Sequence, residues 1–415
     1  MSVSHVLDPA DVAAGSGQDL GAGAHCGPAL PVTQGDSRPD LGSLGLAQAL
    51  ALLEDPRDPR GVWHPLVAVL LIAAVAVLAG AKNLLAIAER AADLSQDQLR
   101  RSGAWQHPVS GRWVAPSYGT LSRILHEIDA AVLDRLVGGW LLGRARTLSA
   151  TSRLAGVALD GKVLRGAWTA GRQLCLLQAV LAEPGVTIAQ VAVPDDTTET
   201  TQVQPLLEPV DIAGMVATAD AAHTNPATAS YLVEIKKAAH VLPVKGNTPG
   251  LLAAVSARLA GPSIAWDEYV GEEAGRGRIE RRTLRVADID PERDGIDFPH
   301  VAQVWRLRRD VLGADRRPLT KQIVFGITCL TPPQATPAEL AALIRGQWAV
   351  ECVHWLRDVL YREDESPLVG AAAQAMATLR NISVGMIRLS GEKAITSTTR
   401  SMGRDIGRAL ALLGL

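Results

Sequence analysis

Apolar and polar positions along the chain follow three different rhythms. Up to about residue 41 there is none: Gly, Ala, Asp and Pro dominate, and such a segment is expected to stay disordered. From about residue 42 to 146 the spacing is helical. Helices are expected over 43–53, 65–94, 117–128 and 130–142, with Pro56, Pro59, Pro108 and Pro116 as punctuation, which makes a small helical domain. From residue 154 short apolar runs take over, at 154–159, 175–182 and 187–193, and these read as strands. A helix-like stretch at 204–210, a strand at 215–219, a helix at 227–238 and the strand HVLPV complete a β-β-β-α-β-α-β order. That order suits a mixed sheet flanked by helices, an α/β fold, with a β-rich segment inserted at about 262–330 and a helical tail over 396–415.

The run 66–81, LVAVLLIAAVAVLAGA, invites a membrane reading. It is shorter than the roughly 20 residues a span needs and continues into the amphipathic NLLAIAERAADL, so a buried helix and no membrane partner are expected. The first ten residues carry no basic segment followed by an apolar core, so no secretory leader is expected there. A chain of 415 residues has room for two or three domains. Its four cysteines, Cys26, Cys175, Cys329 and Cys352, include no CxxC pair. Reduced intracellular thiols fit better than a zinc site or a disulfide framework.

Three acidic residues stand in distinctive settings. Asp160 ends the apolar run of VALDGKVLRG, Asp220 ends that of MVATADAAHT, and Glu351 lies on the helix expected around IRGQWAVECVHW. Sixty positions separate the first two and 131 the second pair, so only a fold could assemble them. Hard cations such as magnesium take oxygen ligands and pair one or two carboxylates with phosphate oxygens. Two such ions about 4 Å apart can activate a nucleophile and stabilise the leaving oxygen of a phosphodiester. A lone Asp after a strand can equally be a turn former or a helix cap. His223 and His354 read as structural, and Glu363, Asp364 and Glu365 as a solvated charge run before Pro367, though they are rival acids for a third ligand.

The segments LDGKVLRG, ATADAAHT, HVLPVKGNTPGLL, GRGRIERRTLRV, QWAVECVHWLRDVLYREDES and ATLRNISVGMIRL occur in this order between about residues 44 and 389. Together they resemble the DDE transposases of bacterial insertion sequences, specifically the ISAs-type family. The resemblance implies an RNase H-like catalytic domain over 150–395 behind an N-terminal transposase-associated domain. It implies Asp160, Asp220 and Glu351 as the metal-binding catalytic triad, with Mg2+ or Mn2+ as cofactor. It also implies double-stranded DNA as partner, cleavage and strand transfer at element ends, and a cytoplasmic enzyme working as a homodimer or larger assembly on DNA. Lys245, Asn247 and Glu199 fall where the family has recurrent polar residues. Three positions depart from the family pattern: Gln347 and Arg276 where many members carry His, and Cys352 where they carry Asn. A nuclease that cuts without joining, or a DNA-binding relic that has lost activity, are the alternatives.

Charge sharpens the DNA question. The net charge of −2 offers no general attraction for phosphate, so local clusters must supply it. Arg276, Arg278, Arg281, Arg282 and Arg285 lie within ten residues that contain one acid, Glu280. On a strand, Arg281 and Arg285 share one side and Arg282 takes the other, which suits either backbone contacts to DNA or a solvated, charge-guarded edge. Arg100, Arg101, Arg112 and Arg123 are candidates for reading element ends, and a plain packing domain is the alternative there. Trp305 is expected in the core.

Overall fold

The computed structural model describes residues 41–148, 153–169, 171–260, 265–275 and 277–415; the tail expected to be disordered lies almost wholly outside this set. The helical region begins with α1 (Leu46–Leu50), α2 (Leu66–Leu78), α3 (Leu84–Ala92) and α4 (Gln96–Arg101). A short hairpin of β1 (Trp105–Gln106) and β2 (Trp113–Val114) leads to α5 (Tyr118–Glu127) and α6 (Ala130–Leu148). The single helix expected over 65–94 is two. Gly80 turns the chain at φ 93°, and the Asn83 side chain caps α3 by accepting from the Ala86 N–H at 2.9 Å. The apolar run is buried on nearly every side, which is why it lacks a polar face, and among the described residues no helix is long and apolar enough to cross a membrane.

Three strands follow: β3 (Gly156–Thr169), β4 (Arg172–Leu181) and β5 (Val186–Ala192). After α7 (Val203–Leu207) come β6 (Val216–Thr218), α8 (Pro226–Ser230), β7 (Ala239–Val244) and α9 (Pro249–Arg258), in the order the apolar runs indicated. Next are β8 (Asp267–Gly275), β9 (Arg278–Asp288), the short α10 (Pro291–Asp294), β10 (Gln303–Gly313) and β11 (Pro318–Thr328). The chain ends with α11 (Pro337–Gly346), α12 (Trp348–Tyr361), β12 (Leu368–Val369), α13 (Gly370–Leu389), α14 (Ile395–Arg404) and α15 (Ile406–Leu412).

One sheet joins all strands from β3 on, in the order β5-β4-β3-β6-β7-β11-β10-β9-β8, with β12 pairing beside β3. The pairs β3–β6 and β6–β7 are parallel, whereas β11 lies antiparallel to β7. The β-rich segment therefore extends the central sheet instead of forming a separate layer, because β11 caps what would otherwise be an open edge at β7. Trp305 is buried there, with its indole N–H donating to the Ile327 carbonyl at 3.2 Å.

The sheet's two faces alternate along β3. Val157 and Leu159 pack with Val203, Leu206 and Leu207 around α7, while Ala158 meets Val350 and Val353 of α12. Helix α13 is buried along almost its whole length and shares a core with α2 and α6, through residues such as Ala375, Met376, Leu379, Leu70 and Trp140.

That core holds charge. Glu363, expected in a solvated run, is 2 % exposed and accepts from Arg357 at 2.7 Å and Arg380 at 2.9 Å, both also buried. Burial alone would raise its pKa, but the two guanidinium charges outweigh it and hold the carboxyl at about 2. The sequence pattern failed here because Glu363 begins a turn packed back onto the sheet, so only Glu365 of the three remains well exposed. Arg380 also donates to the Lys82 carbonyl at 3.1 Å, tying α13 to the α2–α3 loop. Nearby, Asp134 of α6 accepts from Gln190 at 3.0 Å, from Gln374 at 2.7 Å and from the Thr378 hydroxyl. These bonds only partly offset its burial, which pushes it up to about 7.

Glu363→Gln should lower the free energy of urea unfolding at neutral pH by about 3–5 kcal/mol, since it leaves two buried guanidiniums without a counter-charge. Glu365→Gln should change it by less than about 0.5 kcal/mol, and equal effects would contradict the assignment. Asp134 has a folded pKa above its unfolded value, so its contribution is greatest below the unfolded pKa near 4 and is lost as pH rises through about 7. Thermal melts should show the Tm of Asp134→Asn rising relative to the parent between pH 5 and pH 8, and a constant difference would refute this.

Candidate active site

Asp160 and Asp220 are brought together by strand register. Gly156, Val157 and Ala158 of β3 pair in parallel with Val216, Ala217 and Thr218 of β6. Each aspartate follows its strand's last paired residue by two positions. They therefore sit level with one another, beyond the point where pairing ends. Their 60-residue separation equals the register offset between the strands. β3 continues to Thr169, so Asp160 is in mid-strand rather than at its end. Asp220 leaves β6 at once and caps a single turn, its Oδ1 accepting from the Ala222 N–H at 2.9 Å.

Glu351 arrives from the first turn of α12. Val350 and Val353 anchor that helix on Ala158 and Val180, which sets the direction of the face carrying Gln347, Glu351 and His354. Gln347 fastens the helix to both β3 and β6. Its amide donates to the Leu159 carbonyl at 2.9 Å and its Oε1 accepts from the Thr218 hydroxyl at 2.6 Å. A departure from the family pattern thus serves as a clasp one residue short of Asp160.

His354 stands on the other side of Asp160, its Nδ1 3.7 Å from the carboxylate. Its Nε2–H donates to Gln178 Oε1 at 2.9 Å, and the Gln178 amide in turn donates to Gln190, within the buried network. Burial, followed by the charge of Arg357, lowers the imidazole to about 3, so the ring is neutral. His223 is likewise buried, with Nε2 4.0 Å from Asp220 Oδ1 and with no hydrogen-bond partner at Nδ1. Burial lowers its pKa too.

The cluster's electrostatics are one-sided. Burial raises Asp160 to about 7, and the charges of Asp220, Glu199 and Glu351 add to the rise against a single lowering hydrogen bond from Gly161. Cys175, on the neighbouring strand, donates to Glu199 at 3.2 Å, and burial with that acceptor pushes the thiol up to about 12. Lys162 pairs instead with Asp364 at 3.3 Å. Among the described residues, no three His, Cys, Asp or Glu side chains are grouped closely enough to hold a metal ion. What the structure brings to one end of the sheet is a set of hard oxygen donors with excess negative charge, the donor type that hard divalent cations take.

Other residues singled out in the sequence fall in two places. Asn247 donates to the Ala221 carbonyl at 2.7 Å, steadying the turn that carries Asp220, and Lys245 is exposed just after β7 at the same end of the sheet. The arginines line the β8–β9 hairpin, where acids of β8 meet them. Arg281 lies 3.9 Å from Glu272, Arg282 lies 3.5 Å from Glu273 and 2.5 Å from Glu280, and Arg285 lies 2.6 Å from Glu268. Arg278 reaches Glu280 at 3.5 Å, and Arg276 lies outside the described residues. Counting acids within one strand missed those that pair across it.

The chain is similar in sequence to known proteins. The model of the transposase DDE domain matches residues 152–384, and the model of the DDE_Tnp_1-associated region matches residues 47–141. A candidate transposase of Escherichia coli O157:H7, YncI, is 25% identical over 360 residues, which covers 83% of this chain and 87% of that protein. An uncharacterised protein of Xanthobacter autotrophicus, from the dhlA 3′ region, is 29% identical over 316 residues, or 70% of this chain and 99% of that one. Among solved structures, the piggyBac transposase synaptic complex with hairpin DNA aligns over 83% of this chain and 72% of that one, with a TM-score of 0.41 and 11% identity. Because the domain match covers more than half of its length, this chain belongs to the transposase DDE domain family.

Proposed function

We propose that the protein is a metal-dependent DNA transposase in which Asp160, Asp220 and Glu351 hold Mg2+ or Mn2+, cut phosphodiesters at element ends and join the freed 3′-hydroxyl to target DNA. The observation that carries this reading is the parallel register that levels Asp160 with Asp220, and the clasping of the helix that bears Glu351 to the same two strands supports it. The strand order β5-β4-β3-β6-β7, antiparallel in its first half and parallel in its second, supports an RNase H-like arrangement of the catalytic part.

Bound metal would supply Lewis acidity at the phosphate and lower the pKa of a coordinated water. The chain's own residues set the geometry. Asp160 and Asp220 would present oxygens from adjacent strands and Glu351 one from α12, while Gln347 ties α12 to the strand that carries Asp160. In the first step a water oxygen bonds to phosphorus, the 3′-oxygen leaves with a proton, and a 5′-phosphate remains. In the second the freed 3′-hydroxyl attacks a target phosphodiester, losing its proton and displacing the target's own 3′-oxygen. No protein nucleophile is needed in either step. Lys245, Asn247, Arg278, Arg281 and Arg282, with Arg276, are proposed to contact the DNA backbone. Two element ends must meet, so a second copy of the chain is the expected partner on DNA.

Labelled DNA carrying the element's own ends, with Mg2+, should give cleaved and joined products. Asp160→Asn, Asp220→Asn and Glu351→Gln should each reduce both by more than roughly a hundredfold, beyond the loss typical of removing an outer-shell partner, while gel shifts show DNA still bound. Cleavage without joining would indicate a nuclease. Bound DNA with no product under any end sequence would indicate a non-catalytic relic, and undiminished product from Glu351→Gln would remove it from the triad.

A further inference from the structure

Two tryptophans are left in solvent on one face of α12. Trp348 is 57 % exposed and Trp355 62 %, with the exposed Cys352 between them and Val359, 50 % exposed, one turn further on. Positions 348, 352, 355 and 359 are spaced by four, three and four, which lines them up along one side of a helix. Val350, Val353, Leu356 and Tyr361 are the buried side. Single exposed apolar residues need no explanation, but a row containing two tryptophans marks a surface that something covers.

Glu351 narrows down the occupant. It too is exposed, and it lies three positions from Trp348 and four from Trp355, which makes it a neighbour of both on the helix surface. Its charge is felt at Asp160. A protein partner closing over both tryptophans would bury this carboxylate at the centre of an interface, where charged groups are depleted, and would shut substrate away from it. DNA entering the site is the occupant that shares the face with Glu351. The carboxylates there repel phosphate, whereas the flat, uncharged face of a base stacks on an indole whatever the sequence. We propose that Trp348 and Trp355 form a stacking surface for unpaired bases of the DNA strand that enters the site. Two helical turns, about 10 Å, separate the two positions, so each ring takes a different base. At the ends of the stripe stand the exposed Arg345 and Arg362, paired with Glu273 and Glu365. Surface ion pairs of this kind are weak enough to be exchanged for a phosphate on either side of the stacked bases.

The inference rests on the reading of DNA as substrate, and the test keeps the two apart. Labelled oligo-dT and a labelled duplex of the same length are titrated with the full chain by fluorescence anisotropy, in a chelator so that no cleavage intervenes. Trp348→Ala and Trp355→Ala should each weaken oligo-dT binding by roughly tenfold, about the effect of one lost base stack, and change duplex binding by less than about twofold. Trp355→Phe, which keeps a ring, should restore most of the affinity. Both side chains are largely exposed, so the Tm of each variant should match that of the parent. Parent-like oligo-dT affinity in both alanine variants would overturn the stacking surface and leave the DNA reading standing. An equal loss on duplex and single strand would also overturn it, since paired bases offer no free face. Loss of self-association in sedimentation, with DNA affinity unchanged, would give the stripe to a second copy of the chain. Failure of the parent to bind either DNA would remove the DNA reading itself and this inference with it.

Discussion

Three residues of parallel pairing, Gly156–Ala158 of β3 against Val216–Thr218 of β6, are the constraint on which the site depends. A slip of one residue would turn one aspartate to the other face of the sheet, since side chains alternate with a period of two. So short a ladder offers little resistance to slippage by itself. The Gln347 bridge to Leu159 and Thr218, the buried contacts of Val157 and Ala217, and β7 on the far side of β6 make the register unique. The residue that clasps the strands is also the one that precedes α12. The pairing of the two strands and the seating of α12 are thus tied together through one side chain.

Behind the site, polar groups continue inward instead of giving way to an apolar core. His354, which lies 3.7 Å from Asp160, is bonded to Gln178 and through it to Gln190, and from there hydrogen bonds reach Asp134, Arg357 and Asn381, with Glu363 and Arg380 beyond. A buried network of this kind joins α6, α12 and α13 to the central strands through directional bonds, although the Nε of Arg380 within it has no partner. Replacing buried ion pairs with apolar groups of similar shape is often neutral or stabilising, so the network is better understood as fixing geometry than as supplying free energy.

Much of this was legible in the sequence where local rules suffice. The β-β-β-α-β-α-β order was readable because short apolar runs bounded by turn residues have few alternatives, and the two aspartates stood out because the same strand-then-acid pattern occurs twice. What escaped was non-local. Nothing in LVAVLLIAAVAVLAGAKN shows that Gly80 takes a positive φ and that Asn83 starts a new helix. Nothing in REDES reveals that Glu363 meets two arginines, one of them 17 residues away on α13. The arginines of β9 looked like an unopposed basic stripe until β8 placed Glu268, Glu272 and Glu273 across from them. The extension of the central sheet by β8–β11 depends on β11 choosing β7 as partner, a choice alternation alone does not encode.

The central claim is that one divalent ion site draws on β3, the β6 turn and α12 at once. Fe2+ substituted for magnesium, with ascorbate and peroxide, generates hydroxyl radicals that cut the polypeptide around the bound ion, and the fragments can be mapped by mass spectrometry. The account predicts cuts clustered around Asp160, Asp220 and Glu351 in the same preparation, suppressed by excess Mg2+ and absent in Asp160→Asn. Cuts confined to one of the three segments, or centred elsewhere in the chain, would contradict it.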